Sequence, residues 1–282
     1  MQAPKIIEDV VIVIHNDDVD LFCLQLKSLD LFLEKCRLHI VINEKDVNYC
    51  YKKITPSLLR SIHTTKIWTR LDILGSHPNV PGWTSQQLLK LLIPLKKDWI
   101  SLDCKDIFVK PVRLDELDRK QYKDYASLDA PDPQSAFWQG LLALGKEHNF
   151  PVIESSVINQ NQTPRVVDNR VIRKINQMFG NKQAFINWFC SFKVQGEYIL
   201  HDYIAEVLEL EEKMRFPRGF IAGIWYDHVY ESNPVSGLPD NMHIYKCHRR
   251  VFNDDRYNSA IIKWVERVFK TYRKYRDALK ND

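Results

Sequence analysis

The most constraining stretch of this chain is Val10-Val11-Ile12-Val13-Ile14, an unbroken β-branched run that stops at His15-Asn16-Asp17-Asp18. A run with no polar face predicts a strand buried on both sides, the habit of parallel sheets covered by helices. The cover follows at once, because Phe22, Leu26, Leu29 and Leu33 recur at helical spacing. A second run, Leu38-His39-Ile40-Val41-Ile42, again ends in polar residues, Asn43-Glu44-Lys45-Asp46. Strand, helix and strand within about thirty residues is the length of a parallel crossover unit.

Lys66–Thr69 and Trp99–Asp103 predict further strands, and Ile107–Val109 resumes after a polar break. Residues 1–115 thus read as an open, mostly parallel, Rossmann-type α/β sheet flanked by helices. Such sheets bind ligands beyond the carboxyl ends of their strands. Those ends carry His15, Asn16, Asp17 and Asp18, then Asn43 and Glu44, then Asp103, Lys105 and Asp106. Residues 116–282 read as an α+β half packed directly onto this sheet. Its strand candidates are Val152–Ile158, Phe220–Trp225 and His243–Cys247; its helices are expected near Arg165–Phe179, Ala184–Phe192, Tyr198–Leu210 and Ser259–Ala278.

Composition excludes more than it identifies. Of 282 residues, 45% are hydrophobic and 27% charged, which rules against disorder and coiled coil. A formal charge of +4 is too weak to mark a nucleic-acid binder. No apolar run approaches the ~18 residues of a membrane span, and the N-terminus lacks the pattern of a secretory signal. The six cysteines show no zinc spacing, so free thiols in a reducing, cytoplasmic setting are expected. P-loop, dinucleotide-binding and serine-hydrolase glycine motifs are missing, which disfavours those chemistries.

The chemistry concentrates in Trp99-Ile-Ser-Leu-Asp-Cys-Lys-Asp-Ile-Phe-Val-Lys-Pro111. A buried strand ending in Asp103, with Asp106 three residues on, sets carboxylates where the strand opens into solvent. Two carboxylates there can hold a divalent ion, and the ion can neutralise a diphosphate leaving group. Lys105 opens other readings: it pairs with Asp103 on the same face of an extended segment, or it offers its own charge to a phosphate. A polar turn with a surface ion pair accounts for the same residues.

Three other segments carry candidates. In Gly82-Trp-Thr-Ser-Gln-Gln-Leu-Leu-Lys-Leu91, a stripe of Leu88, Leu91, Leu92 and Leu95 faces the core, and Trp83, Gln86 and Lys90 gather opposite it. Thr84 with Gln87 fits a capping box. Gln86 and Lys90 are either a solvated face or a polar wall beside the Asp103 loop. Gly196-Glu-Tyr-Ile-Leu-His-Asp-Tyr203 starts a helix whose dipole favours Glu197, and a carboxylate there can also serve as base toward a hydroxyl. Asp202, five residues on, lies off that face. Met242–Arg250 predicts a strand ending in a basic cluster, where His248 is either structural or a ligand to metal or phosphate, and Arg249 and Arg250 suit a diphosphate. A final helix, rich in Lys and Arg from Lys263 to Lys280, is either a solvated face or a contact for an anionic partner.

Taken in order, these features resemble a little-characterised family of glycosyltransferase-like proteins of bacteria and their phages, which adopts the GT-A fold. The resemblance spans residues 8–250 and is most specific from Gly82 to Pro111, with Thr163-Pro164, Gly196–Tyr203 and His248-Arg249 fitting as well. It implies a glycosyltransferase, hexosyltransferase-like, that moves a sugar from a nucleotide-diphospho-sugar donor to a hydroxyl acceptor, with glycan or modified nucleic acid as possible acceptors. The Asp103 loop then occupies the place of the Asp-x-Asp motif that holds Mn²⁺ or Mg²⁺. Here the third position is Lys105 and the second acid falls one residue late, which leaves metal dependence open.

By the same implication His15, Asn16, Asp17, Gln86, Gln87, Lys90, Lys105 and Arg249 bind the donor. Asp103, Asp106 and His248 serve the metal, and Glu197 and Asp202 act on the acceptor. Residues 1–115 become the nucleotide-sugar half and 116–282 the acceptor half of one GT-A-like domain. Two rivals use the same residues: a non-catalytic module binding nucleotide, glycan or nucleic acid, and another metal-assisted nucleotidyl or phosphoryl transferase.

Overall fold

The run that opens the chain forms β1, Asp9–Ile14, and every residue of it is buried. The computed structural model describes residues 7–43, 47–75, 80–117, 130–158, 163–193, 196–210, 221–224, 238, 240 and 242–278. After β1 come α1 (Val19–Phe32), β2 (Arg37–Ile42), α2 (Val47–Leu58), β3 (Thr64–Thr69), α3 (Arg70–Leu74), α4 (Gly82–Leu92), β4 (Trp99–Asp103) and β5 (Asp106–Phe108). The chain continues through α5 (Leu114–Leu117), α6 (Ala136–Glu147), β6 (Arg165–Val167), α7 (Asn169–Phe179), α8 (Lys182–Cys190) and α9 (Glu197–Val207). It ends with β7 (Ile221–Ile224), β8 (Ile244–Cys247), α10 (Arg249–Phe252) and α11 (Asp255–Ala278).

Five strands form the central sheet in the order β3-β2-β1-β4-β6. The first four are parallel and β6 runs antiparallel to β4. Register aligns Ile14 with Ile42, Ile42 with Thr69, and Val13 with Asp103, so four carboxyl ends share one edge. Successive side chains of β1 serve different cores. Val10, Ile12 and Ile14 join α1, α2, β8 and α11 on one face, while Val11 and Val13 join α4, α6, α7, α8 and α9 on the other. At roughly 1.5–3 kcal/mol for each buried Val or Ile, these side chains stabilise both faces of the strand.

A second sheet, β5-β8-β7, continues from β4 through a tight turn. β5 and β8 are antiparallel, with Asp106 opposite Lys246. Each sheet therefore draws a strand from the other half of the chain: β6 enters the first and β5 the second.

Several sequence expectations need correction. Val152–Ile158 is extended chain and a short 3-10 turn rather than a strand, because Val152 is 89% exposed and only Ile158 is fully buried. The helix expected from Arg165 starts at Asn169. β-branched Val166 and Val167 pair with β4 instead, and the Asp168 side chain accepts from Arg170 N at 2.7 Å as the helix cap. Thr84 is not the N-cap residue: α4 begins two residues earlier, behind Pro81, and Thr84 is buried in its first turn. Helix α6 was not anticipated, although Ser135 accepts from Trp138 N at 3.2 Å and marks its start.

None of the six cysteines is joined in a disulfide. Among the described residues no helix is long and apolar enough to cross a membrane. Helix α11 lays Ile261, Val265 and Phe269 on the core, with the Phe269 ring 5.8 Å from Phe32, and turns Lys263, Arg267, Lys270 and Arg273 to solvent.

Candidate functional site

A cavity of about 530 Å³ opens at the carboxyl edge of β1 and β4. Its walls come from α4 (Trp83, Gln86, Gln87, Lys90), the β4–β5 turn (Asp103, Cys104, Lys105), the start of α9 (Glu197, Tyr198) and the start of α10 (His248, Arg249), with Asp18 and Thr163 between them. The volume suits a small-molecule site.

Hydrogen bonds explain why these segments meet. Asn43, at the end of β2, donates to the Gly82 carbonyl at 2.8 Å and accepts from Ser85 Oγ at 2.6 Å, pinning α4 to the sheet edge. Gln25 of α1 donates to the carbonyls of Asp103 and Asp106, at 2.6 and 3.0 Å, and fixes the turn between them. Antiparallel register, with Ser101 opposite Arg165, brings Thr163 beside Asp103. The Cys247 N–H donates to the Lys105 carbonyl at 3.0 Å and sets α10 against the turn.

Lys90 is the hub. Its side chain is 4% exposed, and Nζ donates to Asp103 Oδ1 at 2.8 Å and to Glu197 Oε1 at 2.9 Å. Burial alone would discharge this ammonium, but the Asp103 and Glu197 carboxylates hold its pKa well above the usual lysine value. Asp103 Oδ2 lies 3.2 Å from Lys105 Nζ and accepts from Thr163 Oγ1 at 3.1 Å. Burial raises the Asp103 carboxyl, yet Lys105, Lys90 and Lys246 outweigh it and hold the group well below the ordinary range. The Lys105 ammonium is raised, chiefly by Asp103. Gln87 Oε1 accepts from Glu197 N at 3.4 Å, at the start of α9. Tyr198 lies under this cluster and donates to Ser101 Oγ at 3.0 Å, with Lys90 Nζ 5.1 Å from its ring centre.

Of the residues the sequence singled out, Gln86, Gln87, Lys90, Asp103, Lys105, Glu197, His248 and Arg249 line this cavity. Others do not. Asp106 is fully buried: Oδ2 accepts from Asp103 N at 2.8 Å, and Oδ1 sits 3.3 Å from Lys246 Nζ. Asp202 turns away into an ion pair with Arg165 and a 3.4 Å contact with His201. Burial raises its carboxyl, but Arg165 and His201 bring it down to about 2, which makes a weak base. Asn16 and Asp17 line a neighbouring cleft with Asp20 and Asp255, and His15 Nδ1 stands 3.8 Å from Asp17. Asp18 carries that segment to the cavity wall, and Arg249, 3.4 Å from Asp17 and 3.7 Å from Asp18, ties the two together.

The sequence reading gives no site role to Thr163 or Lys246. Thr163 is shared, since its hydroxyl accepts from Lys246 Nζ at 2.6 Å while donating to Asp103. Lys246 had a signal: a lysine in the otherwise buried run Ile-Tyr-Lys-Cys must find a carboxylate.

A divalent ion of the Mn²⁺ or Mg²⁺ type asks for several oxygen ligands. This donor set does not fit one. Asp103 meets an ammonium at each oxygen, Asp106 faces inward, and His248 Nδ1 accepts from Arg250 N at 3.3 Å. Among the described residues no group of three His, Cys, Asp or Glu side chains is placed to hold a metal.

The model of a family of unknown function, DUF6492, matches residues 7–253. The chain belongs to that family. No curated protein matches it in sequence. Among solved structures, galactosyltransferase LgtC in complex with donor and acceptor sugar analogues is similar at 12% identity and a TM-score of 0.50, over 93% of this chain and 95% of that one. Mouse xyloside xylosyltransferase 1 matches at 11% identity and a TM-score of 0.45, over 84% and 97%. Core-mannan synthase A of Aspergillus fumigatus, in an Mn/GDP form, matches at 9% and 0.45, over 73% and 71%. The galactosyltransferase likeness carries the fold. This DUF6492 member has a mixed α/β GT-A fold, with a mostly parallel central sheet flanked by helices.

Proposed function

We propose that this chain transfers a sugar from a nucleotide-diphospho-sugar to a hydroxyl-bearing acceptor. The observation that carries this reading is the convergence of Lys105, Lys90, Asp103 and Glu197 on one cavity, at the ligand-binding edge of a GT-A sheet. In the reaction the bond between the sugar's anomeric carbon and the diphosphate breaks, and the bonding pair leaves with the diphosphate. The acceptor oxygen bonds to that carbon, and the hydroxyl proton passes to a carboxylate. Glu197 is the acceptor-side base: it lines the cavity, whereas Asp202 does not. Asp103 holds Lys90 and Lys105 in place. A second reading, binding without transfer, draws on Lys90, which engages the same Glu197 carboxylate that must take the proton.

The test measures release of nucleoside diphosphate from a panel of UDP-, GDP-, CDP-, ADP- and dTDP-sugars with mixed glycoside acceptors. Acceptor-dependent release is expected with at least one donor, and Glu197→Gln should lower it by about 10²–10⁴-fold, the usual worth of a positioned base. Full turnover in Glu197→Gln would overturn the role of Glu197. A donor that binds but is never consumed would overturn transfer in favour of the binding module.

A further inference from the structure

The β4–β5 turn carries a charge argument that reaches beyond transfer as such. An acid at position 105 beside Asp103 would make a dianionic pair that needs a divalent ion to hold a diphosphate. A lysine there changes the local charge by two units, the same amount that ion would bring. The geometry agrees with the arithmetic. Lys105 lines the cavity with a quarter of its side chain exposed, and it shares Asp103 with Lys90 and Thr163. Asp103 thus keeps two partners when Lys105 turns toward a ligand. The 3.0 Å bond from Cys247 N to the Lys105 carbonyl sets the guanidinium-bearing start of α10 alongside, and Arg249 lines the same cavity with 42% of its side chain exposed.

We infer that the diphosphate of the donor is held by the Lys105 ammonium with Arg249 beside it, and that the site works without a divalent ion. This inference rests on the nucleotide-diphospho-sugar reading above. It names a binding site for a nucleoside diphosphate in which two organic cations do what a metal and an acid pair would otherwise do. The two charges differ in kind: Lys105 is a compact point charge on a flexible stem, and Arg249 a planar fork that can meet two phosphate oxygens at once.

The experiment titrates UDP, GDP, ADP, CDP and dTDP into the full chain, first in EDTA and then in excess Mn²⁺, with Mn²⁺ binding followed in parallel by electron paramagnetic resonance. At least one nucleotide should bind equally well in both conditions, with no nucleotide-dependent uptake of Mn²⁺. Lys105→Met should weaken binding in EDTA by roughly 10- to 100-fold, the worth of a charge-assisted hydrogen bond, and Lys105→Arg should retain most of it. Lys105→Asp should lose binding in EDTA, recover part of it in Mn²⁺, and take up the ion visibly. Thermal unfolding of each variant shows that it is folded.

Wild-type binding that requires Mn²⁺ overturns this inference and leaves the nucleotide-sugar reading standing. Metal-free binding that survives Lys105→Met in full also overturns it. No binding of any of the five nucleotides, with or without Mn²⁺, overturns the underlying reading instead.

Discussion

The two edges of the central sheet are both charged, yet they are built on different plans. At the amino edge, Asp9 accepts two bonds from Arg37, each 2.8 Å, and lies 2.8 Å from His39 Nε2, whose Nδ1 accepts from Trp68 at 3.2 Å. These residues sit on neighbouring strands in register, Asp9 directly opposite Arg37, and none lines a cavity described above. At the carboxyl edge the partners come from α4, the β4–β5 turn, α9 and β8, and their charges face an open space. The lesson is that ion pairing by itself says little about function. The amino edge closes a sheet locally, while the carboxyl edge gathers distant segments around a volume.

The contrast can be broken most forcefully at Lys90. Lys90→Met leaves Asp103 and Glu197 buried with their shared cation removed, and a stability loss of about 3–5 kcal/mol is expected near neutral pH. Urea unfolding at neutral pH measures the deficit against the wild type. A loss under 1 kcal/mol would mean the network is not the hub described above.

At Asp202 the test is pH. The carboxyl's folded value of about 2 lies below the ordinary aspartate value of 3.8, so the pair with Arg165 stabilises the fold above the unfolded value and ceases to do so as pH falls through about 2. On that difference Asp202→Asn should cost on the order of 2 kcal/mol at pH 7, a gap that closes between about pH 4 and pH 2. A gap unchanged across that window would sink the assignment. The smallest effect belongs to the amino edge. Arg37 is half exposed, so Arg37→Ala should cost about 1 kcal/mol, with nucleotide binding untouched. Impaired binding in Arg37→Ala would mean the two edges are coupled.

The same division explains what the sequence made legible. β1, β2 and β4 were readable because continuous β-branched or aromatic-flanked runs have no other use than a doubly covered sheet. The Asp103 turn, α4 and the start of α9 were each visible as separate polar interruptions. Their meeting was not, since nothing in local spacing ties Lys90 to Glu197, 107 residues on. Asp106 misled because three-residue spacing after a strand says nothing of which way the next strand turns its side chain. Here β5 turns it inward, toward Lys246. Val152 misled because a valine beside proline looks like a strand until its exposure is known.

The pairing of β5 with β8 has a consequence for how the molecule comes into being. The turn bearing Lys105 is latched by Cys247 and Lys246, which leave the ribosome long after it. Closing so long a loop is slow, and its entropy must be lost before the contact repays it. The cavity wall at Lys105 is therefore completed only after Cys247 has emerged, and the β4–β5 turn waits without its latch while the residues between them are made.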